Sequence, residues 1–278
     1  MKRQNLTLFL CFLFVSPSWG QMDAVQQFEG FNLQGYTDEG EKSWDVVGDT
    51  ADIVGDMIEV TNVDANQYGE QEMNLKARKG IIDKVTGDIQ LEGNVVITSI
   101  AGGKLTTDSL TWQKEQDLVS TEDPVEIMNK AFKAEGMGLR ARPGLKVAQM
   151  NKNVKVKVKT DLEKKESRIV TVTCDGPLEI EQLENMATFN KNVTVFQEGR
   201  TLKADKMVLY LDPETKEIDK LICLGNVVII QGGNETYSRK AVYSAATKKL
   251  VLSGRPKLIM VSEDDGGFGN FDMGKTDL

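Results

Sequence analysis

The chain of 278 residues has no histidine, three cysteines and six prolines, and its 34 basic and 42 acidic side chains give a formal net charge of −8. Without imidazole there is no Ser-His-Asp or Cys-His nucleophile system and no histidine metal ligand or proton shuttle. An acidic balance also argues against a general nucleic-acid binder, because phosphate contacts are made by clustered Lys and Arg; what remains for an enzyme is carboxylate, Lys or Tyr chemistry, or an all-oxygen cation site.

Residues 1–20 read as an export signal. Lys2 and Arg3 make a positive start, residues 6–15 are apolar except for Thr7, and Ser18 and Gly20 are small where a signal peptidase reads, which places cleavage before Gln21. The apolar run is about half of the roughly 20 residues that a membrane-spanning helix needs. Beyond it the chain is built of short β-type runs. Residues 105–112 and 118–127, 204–211 and 218–223, and 240–243 and 249–252 form pairs separated by turn clusters such as Asp212-Pro213-Glu214-Thr215. Strands of this length and spacing indicate an all-β chain, a sandwich, barrel or solenoid-like roll. No window carries convincing helical periodicity.

The runs repeat. Gly93-Asn94-Val95-Val96-Ile97 returns as Gly225-Asn226-Val227-Val228-Ile229, with looser copies at Asn153-Val154 and Asn192-Val193 and degenerate ones at Asp123-Pro124-Val125 and Gly254-Arg255-Pro256. The unit is roughly 30 to 40 residues. Between residues 130 and 168 twelve basic side chains face only four acidic ones, a sharp compositional shift. Inside this segment Val154-Lys155-Val156-Lys157-Val158-Lys159 alternates strictly, putting valines on one face and lysines on the other. It reads either as an edge strand whose lysines deter aggregation or as a functional basic face. Residues 160–167 read as a charged connector between domains at 21–159 and 168–262. Residues 263–278, with Gly266, Gly267, Gly269 and Gly274, read as a flexible tail. After removal of the signal two cysteines remain, Cys174 and Cys223; export permits a disulfide, but two cysteines are not a disulfide framework, and the commoner reading is two separate small apolar core residues.

The second half resembles the OstA-like domain of the LptA family of lipopolysaccharide-transport proteins. The residues that carry the likeness are Cys174-Asp175-Gly176-Pro177-Leu178-Glu179-Ile180, Ala187-Thr188-Phe189, Asn192-Val193-Thr194-Val195, Leu202-Lys203-Ala204-Asp205-Lys206-Met207, Gly225-Asn226-Val227, Ala241-Val242-Tyr243 and Leu252-Ser253-Gly254-Arg255-Pro256. The first half is similar to the LptC family through Trp44-Asp45-Val46, Leu75-Lys76-Ala77, Thr86-Gly87-Asp88-Ile89, Leu105-Thr106-Thr107-Asp108-Ser109-Leu110, Thr121-Glu122-Asp123-Pro124-Val125 and Ala134-Glu135-Gly136-Met137-Gly138-Leu139. The resemblance implies antiparallel β-jellyroll or β-taco modules stacked end to end. It also implies a periplasmic location, with inner-membrane association if the signal is retained. The implied work is a non-enzymatic bridge that carries lipopolysaccharide from an inner-membrane ABC transporter toward an LptA-like or outer-membrane LptD-like partner docked by β-augmentation.

That work needs apolar side chains on one strand face. The candidates for a lipid groove are Leu178, Ile180, Val193, Val195, Met207, Leu209, Leu221, Val227, Ile229, Leu250, Leu252 and Leu258. Val154, Val156 and Val158 are expected to close the first module against the strand of Leu178 and Ile180, and Ile259 and Met260 to present the far edge. Lys155, Lys157 and Lys159 are candidates for head-group contact at the groove mouth. No catalytic residue, metal or cofactor is expected. Two other readings fit the same repeats: a β-rich structural or adhesin module without a groove, and a carbohydrate-active enzyme using a carboxylate pair such as Asp108 and Asp205.

Overall fold

The computed structural model describes residues 26–69, 72–100, 102–160, 168–215 and 217–261. The expected export signal, residues 161–167 of the expected connector and the expected tail lie outside them. The first strands are β1 (Gln26–Tyr36), β2 (Lys42–Val54), β3 (Met57–Gln67), β4 (Met73–Asp83), β5 (Ile89–Ser99) and β6 (Lys104–Gln113). Then come β7 (Leu118–Met128), β8 (Phe132–Arg142), β9 (Val147–Thr160), β10 (Arg168–Cys174), β11 (Leu178–Glu181) and β12 (Met186–Gln197). The last are β13 (Arg200–Leu211), β14 (Ile218–Gln231), β15 (Asn234–Ser244), β16 (Lys249–Ser253) and β17 (Lys257–Ile259). Apart from one 3-10 turn at Pro143–Leu145, no helix interrupts the described residues.

Except within the pairs β10/β11 and β16/β17, each strand pairs antiparallel with the next, so the chain is one long meander. At two positions in the sheet a pair of short strands takes the place of one. Opposite β9, β10 pairs with Val154–Thr160 and β11 with Val147–Met150, and β12 covers both from the other side. Between them the chain steps across at Asp175-Gly176-Pro177, where Asp175 N–H donates to the Lys191 carbonyl and Gly176 N–H to that of Asn190. Opposite β15, β16 and β17 are divided in the same way at Gly254-Arg255-Pro256.

A single sheet with no covering layer can bury side chains only by folding on itself. The fold line is written into the backbone. Asn62, Asn94, Asn153, Asn192 and Asn226 all have φ between 44° and 53°, and the ladder shifts register at Glu92/Val95, Asn190/Val193 and Leu224/Val227. Asn tolerates the left-handed region better than other side chains with a Cβ, which is why the sequence repeat is a repeat of Asn. At the duplicated corner glycine precedes it, with φ +77° at Gly93 and +74° at Gly225. A Cβ on Gly225 would stand 2.2 Å from Asp205 Oδ2, and that carboxylate accepts from Asn226 Nδ2 at 2.9 Å. Asn62 donates to Asp49 and Asn192 to Asp175 in the same manner. These three corners are therefore each tied to a neighbouring strand or step by an Asn–Asp bond.

The deepest residues flank this line. Leu91 and Val95, Met150 and Val154, Phe189 and Val193, and Cys223 and Val227 are buried on the bulged strands at a spacing of four; Ala77 and Gly80, Ala204 and Met207, and Ser238 and Ala241 are buried on the others at a spacing of three. Two clusters result. One runs from Ala51 to Leu110 on β2 to β6, and the other from Val125 to Ala241 on β7 to β15, passing without a break through β9 and β10. Between them the floor is polar: Thr107 and Thr121 are buried there, and the Thr107 hydroxyl has no hydrogen-bond partner.

Gly225→Ala forces both a left-handed alanine and a shift of Asp205, so it should lower stability by about 1–3 kcal/mol. Gly199 on an open turn also has positive φ but has nothing near its Cβ position, and Gly199→Ala should cost clearly less. Urea unfolding of the two variants side by side measures the difference.

Candidate functional site

The concave face carries an apolar stripe across the sheet. All twelve groove candidates share the parity of the buried floor. Leu178, Val193, Met207 and Val227 are floor residues; Val195, Leu221, Ile229 and Leu252 pack half-buried against them. Leu209 is half-buried two residues beyond Met207, and Ile180, Leu250 and Leu258 are exposed near the rims or the terminal edge. The surface thus grades from buried floor through half-buried walls to open rim. The stripe continues through the first half, where no candidates were named. Val60, Val63, Leu91 and Val95 form its floor, with Phe31, Val46, Ile58 and Ile97 against them. At the first strand Trp44 lies across Gly35, whose Cβ position is 2.2 Å from the indole Nε1. The signal that could have found these residues is the Asn corner, since Val63, Leu91 and Val95 stand within three residues of Asn62 or Asn94.

Val154 and Val156 are buried and Val158 half-buried, all within β9. The strand is paired on both sides, to β8 and to β10 and β11. This corrects the expectation of an exposed lysine-protected edge. The partner also differs from the one expected: Val154 to Val158 face Cys174 to Val170, whereas Leu178 and Ile180 face Met150 and Ala148. The step at Asp175-Gly176-Pro177 moves the chain from one half of β9 to the other, which periodicity alone does not reveal.

Lys155, Lys157 and Lys159 alternate with the inward valines and lie exposed on the convex face, away from the groove. The period of two that buries Val154 and Val156 requires it. On that face Lys133 Nζ bonds Glu126 at 2.8 Å and Glu135 at 2.6 Å. The Lys133 hydrogen bond, with smaller contributions from Lys155 and Lys157, holds the Glu135 carboxyl below its usual range. Part of the basic segment is therefore already neutralised by its neighbours. A depression of about 260 Å³ across β9 and β10 is lined mostly by polar residues, Asn153, Lys155, Thr173, Asp175 and Asn192, together with Val154 and Cys174 of the floor.

The sheet ends in two unpaired edges among the described residues: β1 pairs only with β2, and β16 and β17 only with β15. Their charges are opposite. Residues 26–41 contain Glu29, Asp38, Glu39 and Glu41 and no basic residue, whereas residues 239–261 contain Arg239, Lys240, Lys248, Lys249, Arg255 and Lys257 and no acid. Both edges carry exposed apolar side chains, Phe28 and Leu33 on one and Leu250, Leu258, Ile259 and Met260 on the other. The two-residue turn at Gly232 and Gly233 makes Gln231 and Asn234 a bonded pair. Alternation then points the polar groups of Glu235 at its partner Ile259. Ile259 N–H is thus committed inward, and the outward-facing groups belong to Leu258 and Met260.

Cys174 and Cys223 are both free and buried in the floor. They stand on β10 and β14, three strand spacings or about 14 Å apart along the sheet, beyond the roughly 7 Å that a disulfide can span. Burial pushes the Cys223 thiol up to about 12. Asp108 and Asp205 are on β6 and β13, six spacings apart, roughly 29 Å along the sheet against the roughly 5–9.5 Å of a glycosidase pair, so the structure does not bring that carboxylate pair together.

A thiol whose folded pKa is raised stabilises the fold fully below its unfolded pKa and loses that contribution as pH rises through the folded value. Stability should therefore fall by about 1.4 kcal/mol per pH unit between about pH 9 and 12 from Cys223 alone. Cys223→Val should flatten this part of the curve in urea titrations at about pH 8 and pH 10.5. Native protein should resist alkylation at about pH 8, and denatured, unreduced protein should take up two equivalents at these positions.

Comparison with known proteins agrees with this geometry in two consecutive segments. Residues 21–172 match the family described as lipopolysaccharide-assembly, LptC-related, and residues 176–268 match the family described as LptA/(LptD N-terminal domain) LPS transport protein. No curated protein matches the chain. Among solved structures, LptH, the LptA-homologous periplasmic component of the conserved lipopolysaccharide transport device of Pseudomonas aeruginosa, is 17% identical over 70% of this chain and 96% of its own, with a TM-score of 0.25. Because the first match alone spans more than half of its length, the chain belongs to the LptC-related lipopolysaccharide-assembly family, continued by an LptA/LptD-type transport domain.

Proposed function

We propose that the chain is a fused segment of the periplasmic lipopolysaccharide bridge, with an LptC-like module at 21–159 and an LptA-like module at 168–262 joined in register. In this reading lipid A acyl chains travel along the concave stripe while the sugar head stays in water. The observation that carries it is the continuity of the apolar floor and walls across β9 and β10. The fourteen spacings between fifteen strand positions, at about 4.8 Å each, give roughly 67 Å of groove, several times the roughly 15 Å of a hydrocarbon leaflet. That length suits passage rather than storage. At about 0.8 kcal/mol per methylene, covering an acyl chain of about ten or more carbons offsets most of the cost of leaving a membrane. No step needs a nucleophile, proton shuttle or metal; the energy for transport comes from ATP hydrolysis in the inner-membrane ABC transporter.

The open edges set the partners. The acidic β1 edge faces the extractor side and takes a basic strand edge. The basic β16 and β17 edge takes an acidic one on an LptA-like or LptD-like partner, joined by backbone hydrogen bonds. Opposite charge on the two edges fixes the order of stacking and rejects like edges.

Photo-crosslinkers at Ile180 and Val195 should yield lipopolysaccharide adducts in cells, and the same probes at Lys155 and Lys157 on the convex face should yield none. Equal adducts on both faces, or none at Ile180 and Val195 in well-expressed protein, would exclude the groove. Met260→Pro removes an outward N–H without touching the ladder to β15; it should weaken partner capture at this edge at least about tenfold, whereas the acyl-chain crosslinks at Val195 within the chain persist.

A further inference from the structure

Several separate features of the sheet meet at the boundary between β6 and β7. The two buried clusters stop on either side of it, and the floor there is made by Thr107 and Thr121. Thr107 stands where β4, β13 and β15 place Ala77, Ala204 and Ser238, and Thr121 where β5, β9, β12 and β14 place Leu91, Met150, Phe189 and Cys223. The Ser238 hydroxyl donates to the Lys240 carbonyl at 3.2 Å, and Thr121 Oγ1 accepts from the Asp123 N–H at 3.1 Å. The buried Thr107 hydroxyl has no such partner.

The ladder opens at the same boundary. β6 and β7 are in register at residues 104–106 and again at 111–113, and between these stretches residues 107–110 face residues 121–125 without a register pair. At every other corner between two continuous strands, the gap takes in at most three residues of either strand. Each strand keeps its outer partner: Thr107 is paired with Val95 on β5, and Pro124 and Val125 with Met137 and Gly136 on β8. The corner residue accounts for the gap. β5, β9, β12 and β14 turn at Asn94, Asn153, Asn192 and Asn226, all at positive φ, whereas no residue of β7 has positive φ. In Asp123-Pro124-Val125 the proline holds the position of the asparagine. Its ring fixes φ near −65° and removes a backbone donor, and the Asp123 N–H is spent within β7 on Thr121.

We propose that the sheet hinges between β6 and β7, so that β1 to β6 and β7 to β17 are two stretches of groove that flex against each other about the strand direction. A buried hydroxyl without a partner disfavours the closed floor, and flexing lets water reach it. The walls keep the stretches joined: Leu105 of β6 packs with the second cluster and Val119 of β7 with the first. Ser109 Oγ also donates to Asp123 Oδ2 across the boundary at 2.6 Å. A bridge docked at both edges then takes up changes in the angle between its partners within one chain, at a few residues, instead of straining the docked edges. The hinge lies inside the LptC-related segment rather than at the join of the two family matches. It goes beyond the lipid reading and does not rest on it, because it follows from packing and register alone.

The test is the width of spin-label distance distributions on the convex face, measured by pulsed electron resonance. Labels at Lys76→Cys and Lys157→Cys lie five strand spacings apart across the boundary, about 24 Å. Labels at Lys157→Cys and Lys240→Cys are separated by as many spacings without crossing it. Cys174 and Cys223 are buried and stay unlabelled in native protein. The first pair should give a distribution at least about twice as broad as the second. Thr107→Val keeps the shape and removes the unpaired hydroxyl, so it should narrow the first distribution, leave the second unchanged and raise the urea midpoint. Equal widths for the two pairs in the otherwise native chain overturn the hinge, whatever the valine variant does. A first distribution that Thr107→Val leaves as broad as before also overturns it. Absence of acyl-chain crosslinks together with a broad first distribution counts against the lipid groove alone.

Discussion

One constraint governs this protein: among the described residues its only layer is a single sheet. In a two-layer domain the second layer hides the apolar face; here, among the described residues, only the sheet itself can do so. The fold therefore depends on a bend that crosses strand after strand, and the bend depends on residues that accept a left-handed backbone. Asn62, Asn94, Asn153, Asn192 and Asn226 supply it, and aspartates beside three of them tie successive corners together. The groove is the inside of the same bend. Stability and the proposed binding surface cannot be separated, since the residues that hold the walls together at the floor are the base of the stripe that the lipid would follow.

The seam between the two family segments obeys the same rule. β9 gives half of its length to β10 and half to β11, so the backbone groups that two separate modules would leave for docking are paired within the chain. The buried cluster that includes Val125 and Ala241 runs straight through this seam. The weaker point in the floor lies elsewhere, at Thr107 and Thr121 between β6 and β7. Sequence families and packing units thus divide the chain at different places: one boundary lies where the two family matches meet, and the other where apolar contact is interrupted.

Part of this architecture is legible in the residues alone. The Gly-Asn-Val-Val-Ile repeat, the absence of helical periodicity and the strict alternation at residues 154–159 point to a β meander with one apolar face. The groove candidates follow from alternation, and alternation holds on each side of a corner. Other features are hidden. Val154 to Lys159 looks like an edge because lysine alternation is the usual protection of one, yet the strand is central and its lysines decorate the convex face. Nothing in a period of two says which neighbours a strand will find. Phe28, Phe31 and Trp44 escape a reading by repeats because the first strands contain no duplicated corner against which to align them.

Residue type and order are enough to set the class of structure, the spacing of the corners, the charge of each edge and the absence of imidazole chemistry, because all four are local properties of the chain. Which edges stay open, where Lys155 to Lys159 point, that Cys174 and Cys223 remain apart, and which backbone groups of β17 face outward are settled only once the strands are assembled. Each of these depends on register across strands distant in sequence. A shift of one residue exchanges the two faces of a strand, and that register is set by the steps at Asp175-Gly176-Pro177 and Gly254-Arg255-Pro256 together with the packing of the whole floor.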